Sequence, residues 1–501
     1  MANTQLNSRV KPSEDRSFFG HPRGLSTLFF TEFGERFGYY GMRALLILFM
    51  VAPKERGGLG FSDGTAGAIY GLYVATVYMM SLPGGWIADR FLGLRRTVFY
   101  GGILIAVGYA MLAIPNIAVF YTGLCVVILG TGMLKPNISA IVGQLYAQGD
   151  PRRDAGFSIF YMGINLGAMI GPLVCGYVGE KVNWHWGLGL AGAGMAVGII
   201  FYWMDQKRLG EAGLHIEPAP SPEARRKEVA TLRNGILGIV GTAAFLLAIH
   251  ITGIFPLTAE FLVNAAGIAL LVLVVALFGW LFFGGDWTPV ERKRLMVIGV
   301  LFLASALFWS AFEQAGSTLN LFAERETDRT WIGGGEFPAS WFQSMNSFFI
   351  ITFAGILAWL WIKLGDKQPS SPAKFSLGLL LVGAGFVVLA LGAVQAAGGV
   401  KVSPMYLTVT YLLHTIGELC LSPVGLSAMT KLAPARVAGL MMGIWFISIS
   451  VGNYIGGRLA SFYGDIPLPN LFGLVAGITL VAGVILALVA KPVERLSGGI
   501  K

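Results

Sequence analysis

Apolar runs of about 20 residues recur along almost the whole chain, and few folds accept such a sequence. Between charged or Gly/Pro punctuation they fall near residues 25–52, 63–88, 97–114, 117–146, 156–179, 186–204, 232–252, 258–284, 295–323, 340–364, 374–396, 404–431, 437–461 and 468–490. A backbone inside hydrocarbon has to satisfy its own amides, so each run becomes a helix and the fold class is an all-α polytopic membrane protein with about 14 spans. Charged residues make up 13% of the 501-residue chain, against roughly 25% in soluble domains. The formal charge of +9 could hint at nucleic acid, but its distribution argues for topology. With both termini inside, roughly 26 of the 36 basic residues fall in cytoplasmic loops, and shifting the register by one helix inverts that asymmetry. The expectation is a multi-pass protein of the cytoplasmic membrane, both termini cytoplasmic, with the lipid bilayer as partner and no nucleic acid.

Several chemistries are excluded. Cys125, Cys175 and Cys420 lie inside apolar runs, without the spacing of a metal site or a disulfide framework. GLGLAG at 187–192 matches a dinucleotide fingerprint, yet no strand precedes it and no acidic residue follows at the right distance. The sequon Asn137-Ile-Ser139 sits within a span, out of reach of glycosylation. Without a Walker A loop, an HExxH or a GxSxG, the chain reads as neither an ATP-driven pump nor a hydrolase. No enzyme activity, metal or cofactor is expected.

Ionisable residues inside the spans carry the functional signal, since each costs about 2.5 to 3.5 kcal/mol at a helix centre. The first span, TEFGERFGYYGMRALLILFM, holds four: Glu32, Glu35, Arg36 and Arg43. With Tyr40 they share one helical face through i+3, i+4 and i+7 spacing, and that face needs a partner, a cavity or a substrate. Lys135 in the fourth span precedes Pro136, which removes a backbone hydrogen bond, so both point to a protein-lined or watery interior. Its counter-charge is open between Glu313 and Glu418. In the fifth span Gly163, Gly167 and Gly171 recur every four residues and permit close helix contact. His414, near Glu418, reads as a hydrogen-bonded structural residue.

Six spans precede the polar segment and eight follow it. The expected division is an N-terminal six-helix bundle at 1–204, a cytoplasmic linker at 205–231, two additional helices at 232–290 and a C-terminal six-helix bundle at 291–501. The linker is expected to be helical around 223–229, and the extra pair to pack on the bundle edge. GGWIADRFLGLRRT resembles the loop motif of the major facilitator superfamily. Its Asp89 and Arg90 can join a charge network that closes the cytoplasmic side in one state and breaks in the other.

The first-helix stretch ExxERFxYYG, with Glu32, Glu35, Arg36, Phe37, Tyr39, Tyr40 and Gly41, resembles the signature of proton-dependent oligopeptide transporters, the POT family. FYMGINLGAMIGP in the fifth span, with Phe160, Tyr161, Asn165 and Gly167, resembles a second signature of that family. The resemblance implies proton-coupled symport of di- and tripeptides by a monomer, through alternating access. It implies salt bridges between the halves, Arg43 with Glu313 and Lys135 with Glu418. For the peptide it implies a carboxylate site at Arg36 and Lys135, helped by Tyr40, and an amine site at Glu418, Asn165 and Asn346. Tyr39, Tyr78, Trp309, Ser422 and Trp445 complete the implied pocket. Glu32, Glu35 and Glu313 are the implied proton carriers, because burial favours the acid while a neighbouring guanidinium favours the carboxylate. Mammalian members are associated with a histidine in the second helix. This second span has none, so coupling rests on carboxylates. The rival readings are symport of nitrate, an amino acid or a drug on the same fold, and a non-transporting nutrient sensor.

Overall fold

A computed structural model describes residues 15–147, 149–253, 258–331, 334–434 and 437–497. The described residues form sixteen α-helices and no strand beyond isolated bridges. The first seven are α1 Gly24–Val51, α2 Asp63–Met79, α3 Ser81–Ile87, α4 Leu94–Leu112, α5 Ile117–Gln144, α6 Arg153–Lys181 and α7 Trp184–Asp205. Then come α8 Pro222–Ile251 and α9 Ala259–Phe283. The chain ends with α10 Pro289–Phe312, α11 Thr318–Arg325, α12 Ser344–Leu364, α13 Ser371–Ala396, α14 Met405–Leu432, α15 Ala438–Ala460 and α16 Leu468–Leu496.

Helices α2 and α3 make one span, as do α10 and α11 around a tight turn at Glu313–Gly316, which leaves fourteen crossings. Twelve are long and apolar enough by composition alone. The others are α4 and α1, whose four ionised groups lower its apolar character. Capping residues mark several starts: Ser62, Asn116, Asn183 and Thr288 each accept a backbone N–H of the first turn. Thr288 and Glu291 form a reciprocal capping box ahead of α10.

Small residues set the distances between helices. A Cβ on Gly167 would stand 2.5 Å from the Phe33 carbonyl oxygen and 3.0 Å from Arg36 Cβ, and one on Gly171 would strike the Phe37 carbonyl. The three-glycine face of α6 therefore lies directly on α1 beside Arg36, the close contact read from its spacing. Between the halves, Gly71 of α2 and Gly457 of α15 leave no room for a side chain on either.

The linker differs from expectation in one respect. Its last third is not a short helical patch but the start of α8, which begins at Pro222 and runs unbroken into the apolar part. The two extra helices also behave differently from each other. Helix α9 packs on the bundle, with Phe278 against Phe302 at 4.9 Å and Gly267 against Tyr454. The described side chains of α8 beyond residue 231 are almost all exposed.

Polar links between the halves gather toward the face where α1 ends. Arg325 forks onto Asp63 at 2.7 and 2.8 Å. Glu180 accepts the backbone N–H groups of Ala339 and Ser340 at 2.8 and 2.9 Å, and Asn320 donates to the Ala44 carbonyl at 2.7 Å. Ser344 donates to Met169 O and Trp341 to Leu173 O. Toward the opposite face α5 packs on first-half helices and α14 on second-half helices. Among the described residues no hydrogen bond or ion pair joins those two.

Candidate functional site

The charged face of α1 is buried, with Glu32, Glu35, Arg36 and Arg43 each at most 5% exposed. Arg36 Nε lies 2.7 Å from Glu32 Oε1 and 2.8 Å from Glu35 Oε2. Nε carries a single hydrogen, which points at Glu32, so both Glu35 oxygens remain without a hydrogen-bond donor. A buried carboxylate without donors is costly, and what offsets that cost for Glu35 is the Arg36 guanidinium 2.8 Å away.

Two helical turns on, Arg43 bridges the halves. Its Nη2 lies 2.7 Å from Glu313 Oε2, in the turn between α10 and α11, while Nε donates to the Tyr70 hydroxyl at 2.6 Å. The guanidinium also lies 5.6 Å from the centre of the Tyr40 ring, and Tyr40 meets Tyr39 edge to face. Tyr70 is absent from the residues singled out by sequence. The available signal was a tyrosine two helical turns before Tyr78 in a charge-free span, since a buried phenol needs a polar partner.

Lys135 and Glu418 are not joined. Lys135 Nζ sits 3.8 Å over the Tyr78 ring. Glu418 Oε2 instead accepts from Asn346 Nδ2 at 3.0 Å, and the same amide nitrogen contacts Thr415 Oγ1. The physical reason is the separation of α5 from α14: each charge has found a partner in its own half. One small cavity is lined by Tyr40 and Arg43 from the first half and by Asn346, Tyr411 and His414 from the second. Tyr40, Tyr78, Lys135, Asn346, Glu418 and Ser422 are all half-buried; for the charged Lys135 and Glu418, whose contact with lipid would be costly, this places them toward a cleft between the halves.

The remaining implied residues are packed more tightly. Asn165, 3% exposed, donates to the Tyr161 carbonyl of its own helix. Trp309 is wedged edge-on between Phe308 and Phe312, its indole N–H without an acceptor. Trp445 packs edge-on against Phe375 and fills the space over Gly425. His414 is buried with Nε2 3.2 Å from the Val382 carbonyl, the structural role read for it.

At the loop between α3 and α4 the charges engage the linker. Arg90 lies 3.3 Å from Glu217 and 3.5 Å from Glu228, the Asp89 carbonyl accepts from Glu217 N, and Arg225 donates to the Arg90 carbonyl. Arg95 holds the Gly210 and Ala212 carbonyls of the same strap. The expected network therefore exists in a different form: it ties the 205–231 segment to the first half.

Fourteen crossings around half-buried charges, with opposing halves pinned together toward one face, define a membrane transporter of the major facilitator type. The chain belongs to the POT family: the family model matches residues 95–473. It is 41% identical over 497 residues to the peptide transporter YePEPT of Yersinia enterocolitica, covering 96% of each chain. It is 38% identical to a di-/tripeptide transporter of Lactococcus lactis subsp. cremoris, over 97% of this chain and 99% of the other. Among solved structures, a peptide transporter POT bound to sulfate superposes with a TM-score of 0.91 at 44% identity over 98% of both chains. A POT family transporter bound to 5-aminolevulinic acid does so with a TM-score of 0.89 at 36% identity, over 95% of this chain and 98% of the other.

Proposed function

We propose that the protein imports di- and tripeptides together with protons across the cytoplasmic membrane, both termini cytoplasmic, each chain working as a monomer. The observation that carries this reading is the distribution of charge across the cleft. Arg36 and Lys135 stand in the first half, Glu418 with Asn346 in the second, and a short peptide carries the complementary carboxylate and ammonium at its two ends. Lys135 and Glu418, each without an opposite charge in contact among the described residues, can receive those ends, while Tyr40, Tyr78 and Ser422 border the space between. Asn165, Tyr39, Trp309 and Trp445 form its walls or support them. A peptide bridging the halves would draw them together where they are now apart, so the cleft opens to the cytoplasm in this conformation. The rocking units are residues 1–204 and 291–501, the 205–231 segment travels with the first, and the pair at 232–290 packs outside them.

Proton carriage belongs to Glu32, Glu35 and Glu313. Glu313 holds Arg43 while charged; protonation releases that bridge and frees the outer contact to open. Glu35 already lacks hydrogen-bond donors and is the second acceptor. No cofactor is required. One proton moving down 100 mV supplies about 2.3 kcal/mol, and tenfold accumulation costs about 1.4 kcal/mol. A single proton thus sustains roughly fortyfold accumulation of a neutral zwitterion.

The test is a matrix of binding affinities. Arg36→Ala and Lys135→Ala should weaken dialanine at least tenfold while hardly changing its amidated form, and Glu418→Gln should discriminate in the same way between free and N-acetylated amines. Equal losses for the free and blocked peptides would sink these assignments.

A further inference from the structure

The span that contains α12 starts without a cap of its own. Pro338 occupies the N-cap position, and the tight turn at Ala339–Gln343 that leads into α12 receives no side-chain cap from its own segment. The orphan N–H groups of such a start need acceptors, and they find them in the other half. Glu180, in the last turn of α6, accepts Ala339 N at 2.8 Å with one carboxylate oxygen and Ser340 N at 2.9 Å with the other. A carboxylate placed there also meets the positive end of the helix dipole.

This cap closes a longer seam. Ser344 donates to the Met169 carbonyl at 2.7 Å, Trp341 Nε1 to the Leu173 carbonyl at 3.0 Å, and a Cβ on Gly176 would strike Ser340 Oγ. Residues 169, 173, 176 and 180 share one face of α6, so the 339–344 segment follows that face for about three turns. Two backbone carbonyls and a glycine make up the rest of the α6 side, which leaves Glu180 as its one titratable group among the described residues. A carbonyl accepts at any pH. A protonated carboxyl does not hold the same two donors: the charge facing the helix start is gone, and one oxygen has become a hydroxyl.

We infer that Glu180 is a positioning residue of the transport cycle, a latch on the outer gate. Charged, it keeps the second half on α6; protonated from outside, it lets the 339–344 segment part from α6 and the cleft open outward. This rests on the orientation proposed above, in which α6 is the fifth crossing and its last turn lies at the outer surface, the side from which protons enter. Glu180 is half-buried there and Lys181 beside it is exposed, so water reaches the latch. The neighbouring elements bring few other titratable groups. Arg329 of the second half is held by Glu336 at 3.0 Å, and Glu336 also takes Lys401 at 2.8 Å. His185 in the first turn of α7 packs edge-on against Phe49 of α1, and α1 sets apolar Leu45 under Gly179. The latch passes no proton onward to Glu313 or Glu35; it sets how readily the gate parts.

The experiment measures, by pulsed electron spin resonance, the distance between spin labels at Glu55→Cys and Val400→Cys, exposed positions in outer loops of the two halves, in the full-length protein in lipid nanodiscs. Cys125→Ser first removes the exposed native thiol. Acidification from pH about 7.5 to about 4.5 spans carboxylate titration and should raise the fraction of long, outward-open distances in this labelled parent. Glu180→Gln keeps the shape without the charge; it should raise that fraction roughly fivefold or more at the higher pH, with a smaller further rise on acidification. A distribution and acid response equal to the parent's overturn the inference. A raised fraction with an undiminished acid response also overturns it, since that marks a structural contact only. Should Glu180→Gln fail to fold, Glu180→Asp, one methylene too short to reach both N–H groups, should raise the fraction at the higher pH, and a parent-like distribution in it overturns the latch. The distances are read without peptide or gradient, so failure here leaves peptide symport standing, and failure of dialanine transport leaves the latch readable.

Discussion

Glu35 and Glu313 differ in what holds them, and the difference predicts their phenotypes. Glu313 lies against Arg43, whereas Glu35 shares the Arg36 guanidinium with Glu32 and receives no hydrogen bond. Glu35→Gln and Glu313→Gln should each abolish uptake against a gradient while sparing peptide exchange between equal compartments. Full concentrative uptake in both would remove them as proton carriers. Tyr70→Phe deletes the hydroxyl that accepts from Arg43 Nε and should destabilise the protein by about 1 to 3 kcal/mol, because a buried charged donor is left unmet. A thermal midpoint equal to that of the wild type would contradict that role. At this scale the charged residues were legible from their cost in a membrane, because a run such as TEFGERFGYYGMR permits few readings. Their partners were less so. Arg43 with Glu313 is present, but Lys135 and Glu418 stand apart, on helices that each pack within their own half.

Helix positions followed closely from hydropathy, because span length is imposed by the bilayer and not by local preference. What apolar runs could not show were the breaks inside spans. The α2–α3 span ends in a π turn at Ala88–Leu92 before Gly93, whose φ of 75° turns the chain into α4, and the α10–α11 span is interrupted just where Glu313 meets Arg43. Continuation of α8 back to Pro222 was hidden for another reason: its first turns are polar and look like linker, although Arg225 and Glu228 give them a tertiary partner at Arg90. The glycine stripe of α6 was fully legible from its period of four. Gly167→Ala should cost about 1 to 3 kcal/mol by forcing α6 away from Phe33 and Arg36, read as a lower thermal midpoint together with weaker dialanine binding. An undisturbed midpoint would show that the two helices tolerate separation.

For the whole molecule, the proposed opening of the cleft to the cytoplasm rests on the cluster of links toward one face. Asp63 with Arg325 is the clearest charged contact there between the halves apart from Arg43 with Glu313. A part-exposed pair contributes only about 0.2 to 1 kcal/mol, yet two conformations close in energy respond to such amounts. Asp63→Arg should therefore slow uptake several-fold, and the charge-reversed double variant Asp63→Arg/Arg325→Asp should recover most of it. Unchanged uptake in the single variant would exclude this contact from the cycle. Positive-inside asymmetry predicts the orientation of the bundle, and the fourteen crossings of the described residues are the even number that two cytoplasmic termini require. The conformation was not legible, because the same sequence has to support both.

The most direct test of the account is uptake of labelled dialanine into proteoliposomes under an inside-negative potential and an inward proton gradient, with and without a protonophore. Accumulation above the external concentration that collapses when protons equilibrate is the predicted result. Failure of correctly inserted protein to accumulate dialanine, while it moves nitrate, an amino acid or a drug down the same gradient, would contradict peptide symport and leave only the fold standing.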